Sequence, residues 1–230
     1  MRFNNQLDPR QLVRRVASKF DLSIVSHRND DERSILAHCR KIKRERSMLL
    51  SDYEAINLFR AVCAVSGVFG DMAEVGSYQG ASAKLIHFAN PVKALHLFDT
   101  FSGLPTSSRE EDFDWTPGRF AASVEDVRKY FAKIPQVILH QGIFPQETGH
   151  EVADCRFSLV HLDCDLAEAI HNSLEFFYTR MTSGAILICH DFHRQRARNV
   201  FAEFFSSHSG TYLAISNQQA LFIKCTSGCQ

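Results

Sequence analysis

Acidic residues at the ends of short apolar runs, beside one glycine turn, are the positions in this 230-residue sequence with the clearest chemical potential. The turn is "AEVGSYQGAS" (73–82), where Glu74 precedes Gly76 and Gly80 stands where a helix pattern begins. Gly76 lets the backbone come close to a ligand, and Gly80 lets the helix start without steric conflict. The spacing is G-x-x-x-G, so the dinucleotide fingerprint G-x-G-x-x-G is missing, and no Lys-Ser/Thr follows to make a P-loop. A carboxylate at Glu74 would repel a pyrophosphate but could accept hydrogen bonds from a cationic amino acid, which turns the reading from NAD towards S-adenosylmethionine. A bare strand-to-helix turn would use the same glycines. Asp99, in "LFDTFSGLP", ends the next apolar run at about the 20-residue offset expected between a glycine turn and a ribose-binding acid. A carboxylate there can take both ribose hydroxyls of an adenosine cofactor; the alternative is a cap on the following turn.

Two further runs end in "HLDCD" (161–165) and "CHDFH" (189–193). Adjacent parallel strands lie about 5 Å apart, so Asp163 and Asp191 can converge on one hard cation, with His190 or Asp165 as further ligands. A divalent ion there would bind a substrate hydroxyl and lower its pKa, creating an alkoxide-like nucleophile. Side chains alternate along a strand, so His190 and Asp191 share a direction only if the strand has already turned. The competing reading is helix N-capping by Asp165 and Asp191, which leaves Asp163 unexplained. His193 is the nearby base candidate, though a lone loop histidine is more often a surface residue. His161, inside an apolar run, reads as a hydrogen-bonded core histidine.

The elements that must position these residues alternate from residue 70 onward. Strand patterns cover 71–77, 93–99, 136–142, 156–163 and 184–191, separated by helix patterns at 80–90, 124–134, 166–181 and 196–208. Continuous apolar runs between amphipathic helices argue for a parallel sheet covered on both faces. The last strands, "TYLAIS" and "ALFIKC", are separated only by "NQQ", too short for a crossover, and should pair as an antiparallel edge hairpin. Seven strands closing in a hairpin describe a class I methyltransferase sheet better than a dehydrogenase.

Before residue 70 come helix patterns at 8–20 (Asp8 as N-cap, Pro9 at the first position), 29–46 and 51–67. They form an expected N-terminal helical layer, 1–69, ahead of a cofactor-binding domain, 70–230. Lys+Arg and Asp+Glu both total 26, so no net field draws nucleic acid or an anionic membrane. The local run "RKIKRER" (40–46) reads as a solvated helix face. Seven cysteines at irregular spacings suggest a reducing compartment, with Cys225 and Cys229 as a conceivable tail pair. No apolar leader or membrane-length run is present, so a cytoplasmic location is expected.

"AEVGSYQGAS", "LHLFDTFSGLP", "GRFAASVEDVR", "QGIFPQET", "VHLDCDL" and "ICHDF" occur in the order seen in the macrocin O-methyltransferase family, which the chain resembles over roughly residues 45–224. The resemblance implies a Rossmann-like fold, S-adenosylmethionine as cofactor, Mg²⁺ as the usual metal, action on sugar hydroxyls of natural products, and homo-oligomerisation through the N-terminal region. It implies that Glu74, Gly76, Ser77, Tyr78, Gly80 and Ser82 form the methionine-side turn. Asp99, Thr100 and Phe101 would meet the adenosine, with Gly142 and Asp163 completing the cofactor site. Asp163, His190 and Asp191 would be the metal ligands, and Asp163, Asp191 and His193 the catalytic residues. His190 stands where the family usually has Asp, and Ala167 where a Tyr commonly follows D-x-D. The imidazole removes a negative charge and moves a hard site towards softer metals, which leaves weaker Mg²⁺ use, another ion such as Mn²⁺, or loss of the metal open. The connection 101–122 reads as a lid in which Phe113, Trp115 and Phe120 close over substrate, and the acids 110–114 as its solvated surface.

The expected function is S-adenosylmethionine-dependent O-methylation of a small-molecule hydroxyl, assisted by a divalent metal. The alternatives are an NAD- or nucleotide-sugar-dependent oxidoreductase on a similar sheet, and a non-catalytic binding module with a degenerate metal pair.

Overall fold

Apolar runs and amphipathic helices assemble into a seven-stranded sheet with helices on both faces. The computed structural model describes residues 30–105 and 116–225. The helix expected at 8–20, the residues Phe113 and Trp115, the acids 110–114 and Cys229 lie outside the described residues. The chain divides after Ser34, and the sheet and the site belong to the unit 35–230.

In chain order the elements are α1 (Asp30–Glu45), α2 (Asp52–Ala64), β1 (Asp71–Val75), α3 (Ala81–Ala89), β2 (Leu95–Asp99), α4 (Val124–Phe131), β3 (Val137–Gln141), β4 (Phe157–Leu162), α5 (Ala167–Tyr178), β5 (Met181–Cys189), α6 (Gln195–Ser207), β6 (Tyr212–Ala214) and β7 (Ala220–Ile223). The strand order is β3-β2-β1-β4-β5-β7-β6. The first five strands are parallel, and β7 runs antiparallel to both β5 and β6, so the closing hairpin forms as expected. The order reverses between β1 and β4, and in open α/β sheets such a switch opens a crevice at the carboxyl ends of the strands.

Strand alternation sorts the core into two layers. Met72, Leu95, Leu97, Leu159, Ile186 and Ile188 face a layer built with α1 to α4. Ala73, Val75, Phe98, Val160, Leu162 and Leu187 face the layer of α5 and α6, where Phe177 and Phe201 are fully buried. Each of these buried Val, Leu, Ile, Met and Phe side chains stabilises the fold by roughly 1.5–3 kcal/mol. The helix expected over 51–67 begins at a capping box: the Ser51 side chain accepts from Glu54 N–H while the Glu54 carboxylate accepts from Ser51 N–H.

Elements near the site are shorter at their ends than the apolar pattern suggests. β4 stops at Leu162 and β5 at Cys189, so Asp163, His190 and Asp191 lie just past their strands. At the other end β5 begins early, at Met181, because the register with β4 shifts between Phe157 and Leu159 and accommodates extra residues around Gly184. Among the described residues no helix is long and apolar enough to cross a membrane. The described cysteines, Cys225 included, are free thiols.

Candidate active site

Beyond the carboxyl ends of β1 to β5 lies a cavity of about 910 Å³, near the upper end of the roughly 300–1,000 Å³ usual for small-molecule sites. Of the expected cofactor residues it is lined by Gly76, Tyr78, Asp99, Thr100, Gly142 and Asp163, and of the expected catalytic and metal residues by Asp163, His190, Asp191 and His193. The structure therefore brings most of the candidate residues to one crevice. Glu74, Ser77, Gly80, Ser82 and Phe101 are not on its wall, and each has a local reason.

Glu74 is fully buried. It shares the parity of Met72, so its side chain turns into the layer beneath α2 and α3. Directly abreast on β4 is His161, whose Nδ1 lies 2.8 Å from Glu74 Oε1. The expectation that this carboxylate meets a cationic amino acid is not met: its partner is a core histidine. Gly80 caps α3 in the left-handed region (φ 79°), and a Cβ there would meet the Phe131 ring at 2.6 Å. Ser77 and Ser82 are buried behind the turn, and Phe101, at φ 57°, inserts into the core. Gly76 has φ 88°, and a Cβ on it would fall on the carbonyl oxygen of Asp163. The glycine is required by the approach of the β4 terminus as much as by any ligand.

Asp99 holds the floor of the crevice. Its Oδ2 accepts from Tyr78 N–H and its Oδ1 from Phe101 N–H, both at 2.7 Å. Burial pushes its pKa up, opposed by the Phe101, Tyr78 and Ser77 amides. The carboxylate thus ties the glycine turn to the β2 loop and still presents lone pairs to the cavity. Above it, the two stems of the long connection are laced together by Leu104 N–H to Arg119 O, Gly118 N–H to Leu104 O and Ala122 N–H to Phe101 O. They deliver Leu104, Pro105 and Phe120 to the cavity wall, and Phe120 meets Tyr78 edge-on at 5.8 Å.

Across the switch point the acids of β4 and β5 form a charged cluster. Just past β5, His190 takes the parity of Ile188 and faces α2. Its Nε2 lies 3.5 Å from Glu54 Oε2 and its Nδ1 2.9 Å from Asp163 Oδ1. Asp191 follows at φ 61°, a left-handed turn that also brings its carboxylate to His190, 3.7 Å from Nδ1. The strand has already turned, as convergence of the two required. Asp165, at φ 62°, turns in the same way. Arg194 spans the gap, with Nη2 2.9 Å from Asp165 Oδ1 and Nε 3.2 Å from Asp191 Oδ1.

These contacts set the protonation states. Burial opposes charge on His190, but Asp163 and then Glu54 push its pKa up to about 11. Burial would raise Asp163, but His190 holds it below its usual value. Burial, then repulsion from Asp191 and Asp163, push Asp165 up to about 7. Burial and Asp163 raise Asp191 as well. His193 is exposed at the mouth.

Asp163, His190 and Asp191 each bring one donor atom within 4.8 Å of the others, yet as placed they do not fit a divalent ion. His190 is set between the carboxylates of Glu54 and Asp163, and Asp191 Oδ1 is bound by the Arg194 guanidinium. Magnesium, moreover, favours oxygen ligands over an imidazole. Helix capping also fails for these acids: α5 is capped from Leu166 and α6 from Arg194, neither by a side chain. Sequence reading missed Glu54 and Arg194. The S-x-x-E capping box at 51–54 and a base three residues after Asp191 were the available signals.

A seven-stranded sheet closed by an antiparallel hairpin, with a glycine turn and an acid at its switch point, is the architecture of class I methyltransferases. Residues 52–215 match the macrocin O-methyltransferase (TylF) family. The chain belongs to that family, whose members are S-adenosylmethionine-dependent O-methyltransferases. Solved structures of similar fold include the O-methyltransferase NovP, 21% identical with a TM-score of 0.62, covering 74% of this chain and 78% of that one. The calicheamicin methyltransferase CalS11 is 16% identical at a TM-score of 0.60, covering 87% and 99%. TomG from Streptomyces achromogenes, an O-methyltransferase of tomaymycin synthesis solved with S-adenosylmethionine, is 13% identical at 0.52, covering 95% and 100%. No curated protein sequence matches the chain significantly.

Proposed function

We propose that the chain transfers the methyl group of S-adenosylmethionine to a hydroxyl of a small molecule, with a natural-product sugar as the acceptor class. The observation that carries this is the division of the crevice. On the β1–β3 side, Asp99, Gly76, Tyr78 and Gly142 face the cavity with an acid for ribose hydroxyls and close backbone. On the β4–β5 side, Asp163, Asp165 and Asp191 face it with negative charge. A sulfonium methyl donor between them is drawn to that charge, and the acceptor enters from the same side. The sugar class is supported by the family and by CalS11, described as a TDP-rhamnose 3'-O-methyltransferase.

In this mechanism Asp99 takes the ribose, and the Tyr78 turn lies against the methionine part. Phe120, Leu104 and Pro105 shield the transferring methyl from water. Asp165 lines the cavity with a pKa near neutrality and accepts the hydroxyl proton as the C–O bond forms. The sulfonium is already activated, so proximity and orientation supply most of the acceleration. The metal assistance expected from the family is not part of this reading, because the side chains that would hold it are engaged with each other. Assembly of copies through the N-terminal helices belongs to the same proposal and is readable by light scattering.

The test is calorimetric titration with S-adenosylhomocysteine and NAD⁺ in parallel, followed by transfer of labelled methyl from S-adenosylmethionine to a panel of nucleotide-linked sugars and phenols. Binding of S-adenosylhomocysteine with methylation of a sugar hydroxyl is expected. Binding of NAD⁺ alone would overturn the reading in favour of an oxidoreductase.

A further inference from the structure

In an enzyme that uses a divalent ion, the acids past β4 and β5 would leave an oxygen-lined gap between them. Here each already has a basic side chain of the protein beside it. We infer that Arg194, between Asp165 and Asp191, and His190, between Glu54 and Asp163, occupy this site in place of a metal, so that methyl transfer by this protein is metal-independent. This rests on the proposed function for the reaction it serves, but the ion-pair geometry stands by itself.

Four carboxylates converge: Glu54 from α2, Asp163 and Asp165 after β4, and Asp191 after β5. His190 lies between Glu54 and Asp163, and Arg194 bridges Asp165 and Asp191. Asp191 also lies 3.7 Å from His190 Nδ1, so none of the four carboxylates lacks a basic side chain beside it. The left-handed conformations of Asp165 and Asp191 are uncommon for residues with a side chain, and both turn their carboxylates towards the same guanidinium. A planar fork suits that task, since its donors reach two acceptors from different loops at once. The arrangement is also shielded: the Arg194 side chain is only 14% exposed, against 18% for Asp165 and 5% for Asp191. A dication at Asp163, His190 and Asp191 would have to displace the guanidinium from Asp191 and turn His190 away from Glu54 and Asp163.

Arg194 and His190 are positioning residues in this scheme. They hold the carboxylates apart and oriented, leaving Asp165 to receive the acceptor proton. The residual negative charge then faces the sulfonium rather than a metal.

The experiment is a titration of free Mn²⁺ followed by electron paramagnetic resonance, on the full chain saturated with S-adenosylhomocysteine. It compares wild type with the double variant His190→Asp/Arg194→Gln. The wild type should leave the Mn²⁺ signal at full amplitude where the double variant takes up one equivalent, at least about tenfold more tightly. S-adenosylhomocysteine binding reports that the variant is folded, since Asp99 and the glycine turn are untouched. Should the double variant not fold, Arg194→Gln alone replaces it, read as a rise in thermal midpoint on adding Mn²⁺ that the wild type lacks. One Mn²⁺ bound by the wild type as tightly as by the variant overturns the inference. So does a folded variant that takes up no Mn²⁺, because then the two side chains were not occupying a cation's place. A wild type that fails to bind S-adenosylhomocysteine would strike the proposed function instead; the Mn²⁺ titration is then read on the ligand-free proteins, with a cooperative thermal transition reporting that the variant is folded.

Discussion

Replacing Asp99 by Asn probes how the floor of the crevice is held, separately from whether a cofactor is present. The carboxylate accepts two backbone N–H groups at 2.7 Å, from Tyr78 in the glycine turn and Phe101 in the β2 loop. An amide keeps one acceptor oxygen and turns its NH₂ towards the second donor. One charge-assisted bond, about 1.5–3 kcal/mol, is lost and one buried N–H is orphaned for about 1–3 kcal/mol more. Against this, burial raises the Asp99 pKa, so the carboxylate carries a desolvation cost that the amide escapes. We take a net loss of about 2 kcal/mol, which for a domain of this size lowers the melting midpoint by about 4–8 °C. The loss should appear in the cofactor-free protein by differential scanning fluorimetry. Affinity for S-adenosylhomocysteine should fall about 10- to 100-fold by calorimetry, since the amide also replaces a bidentate ribose acceptor. A cofactor-free midpoint unchanged within about 1 °C would show that the two short bonds do not tie the loops together. An affinity unchanged within about twofold would remove Asp99 from the cofactor site.

Other consequences follow from the same geometry. Asp165 must be ionised to accept a proton, and its pKa is pushed up to about 7. The pH profile of kcat/KM should therefore climb with pH up to that value and level off above it; a profile still climbing in Asp165→Asn would assign the limb to another group. Gly76→Ala places a Cβ on the Asp163 carbonyl oxygen at φ 88° and should cost more than about 3 kcal/mol, seen as a large fall in the denaturant midpoint; a midpoint close to wild type would refute the close approach. His161→Leu leaves the fully buried Glu74 without its 2.8 Å partner and should destabilise the fold by about 3 kcal/mol. Cofactor affinity of the folded fraction should be unchanged, because Glu74 is off the cavity wall; a matching drop in affinity would return Glu74 to the cofactor site.

The sheet was legible because its signals are local. Apolar runs of strand length, amphipathic stretches between them and a three-residue gap before the last run specify five parallel strands and an edge hairpin without any long-range contact being known. Asp99, Asp163 and Asp191 were legible for the same reason: parallel strands carry their terminal residues to one edge. Glu74 was misread because its position in the motif says nothing of which face it occupies. Its parity with Met72 and its register against His161 decide that, and both depend on which strand lies alongside.

By itself, then, the sequence determined the layered architecture, the switch-point crevice and the acids that reach it, since strand periodicity and connection length suffice for those. Only the tertiary structure decided how the acids are balanced. Glu54 arrives from a helix over a hundred residues before His190, and Arg194 reaches Asp165 across a gap between two loops. The sign and size of an electrostatic interaction depend on distance and burial in three dimensions, and no spacing along the chain encodes either.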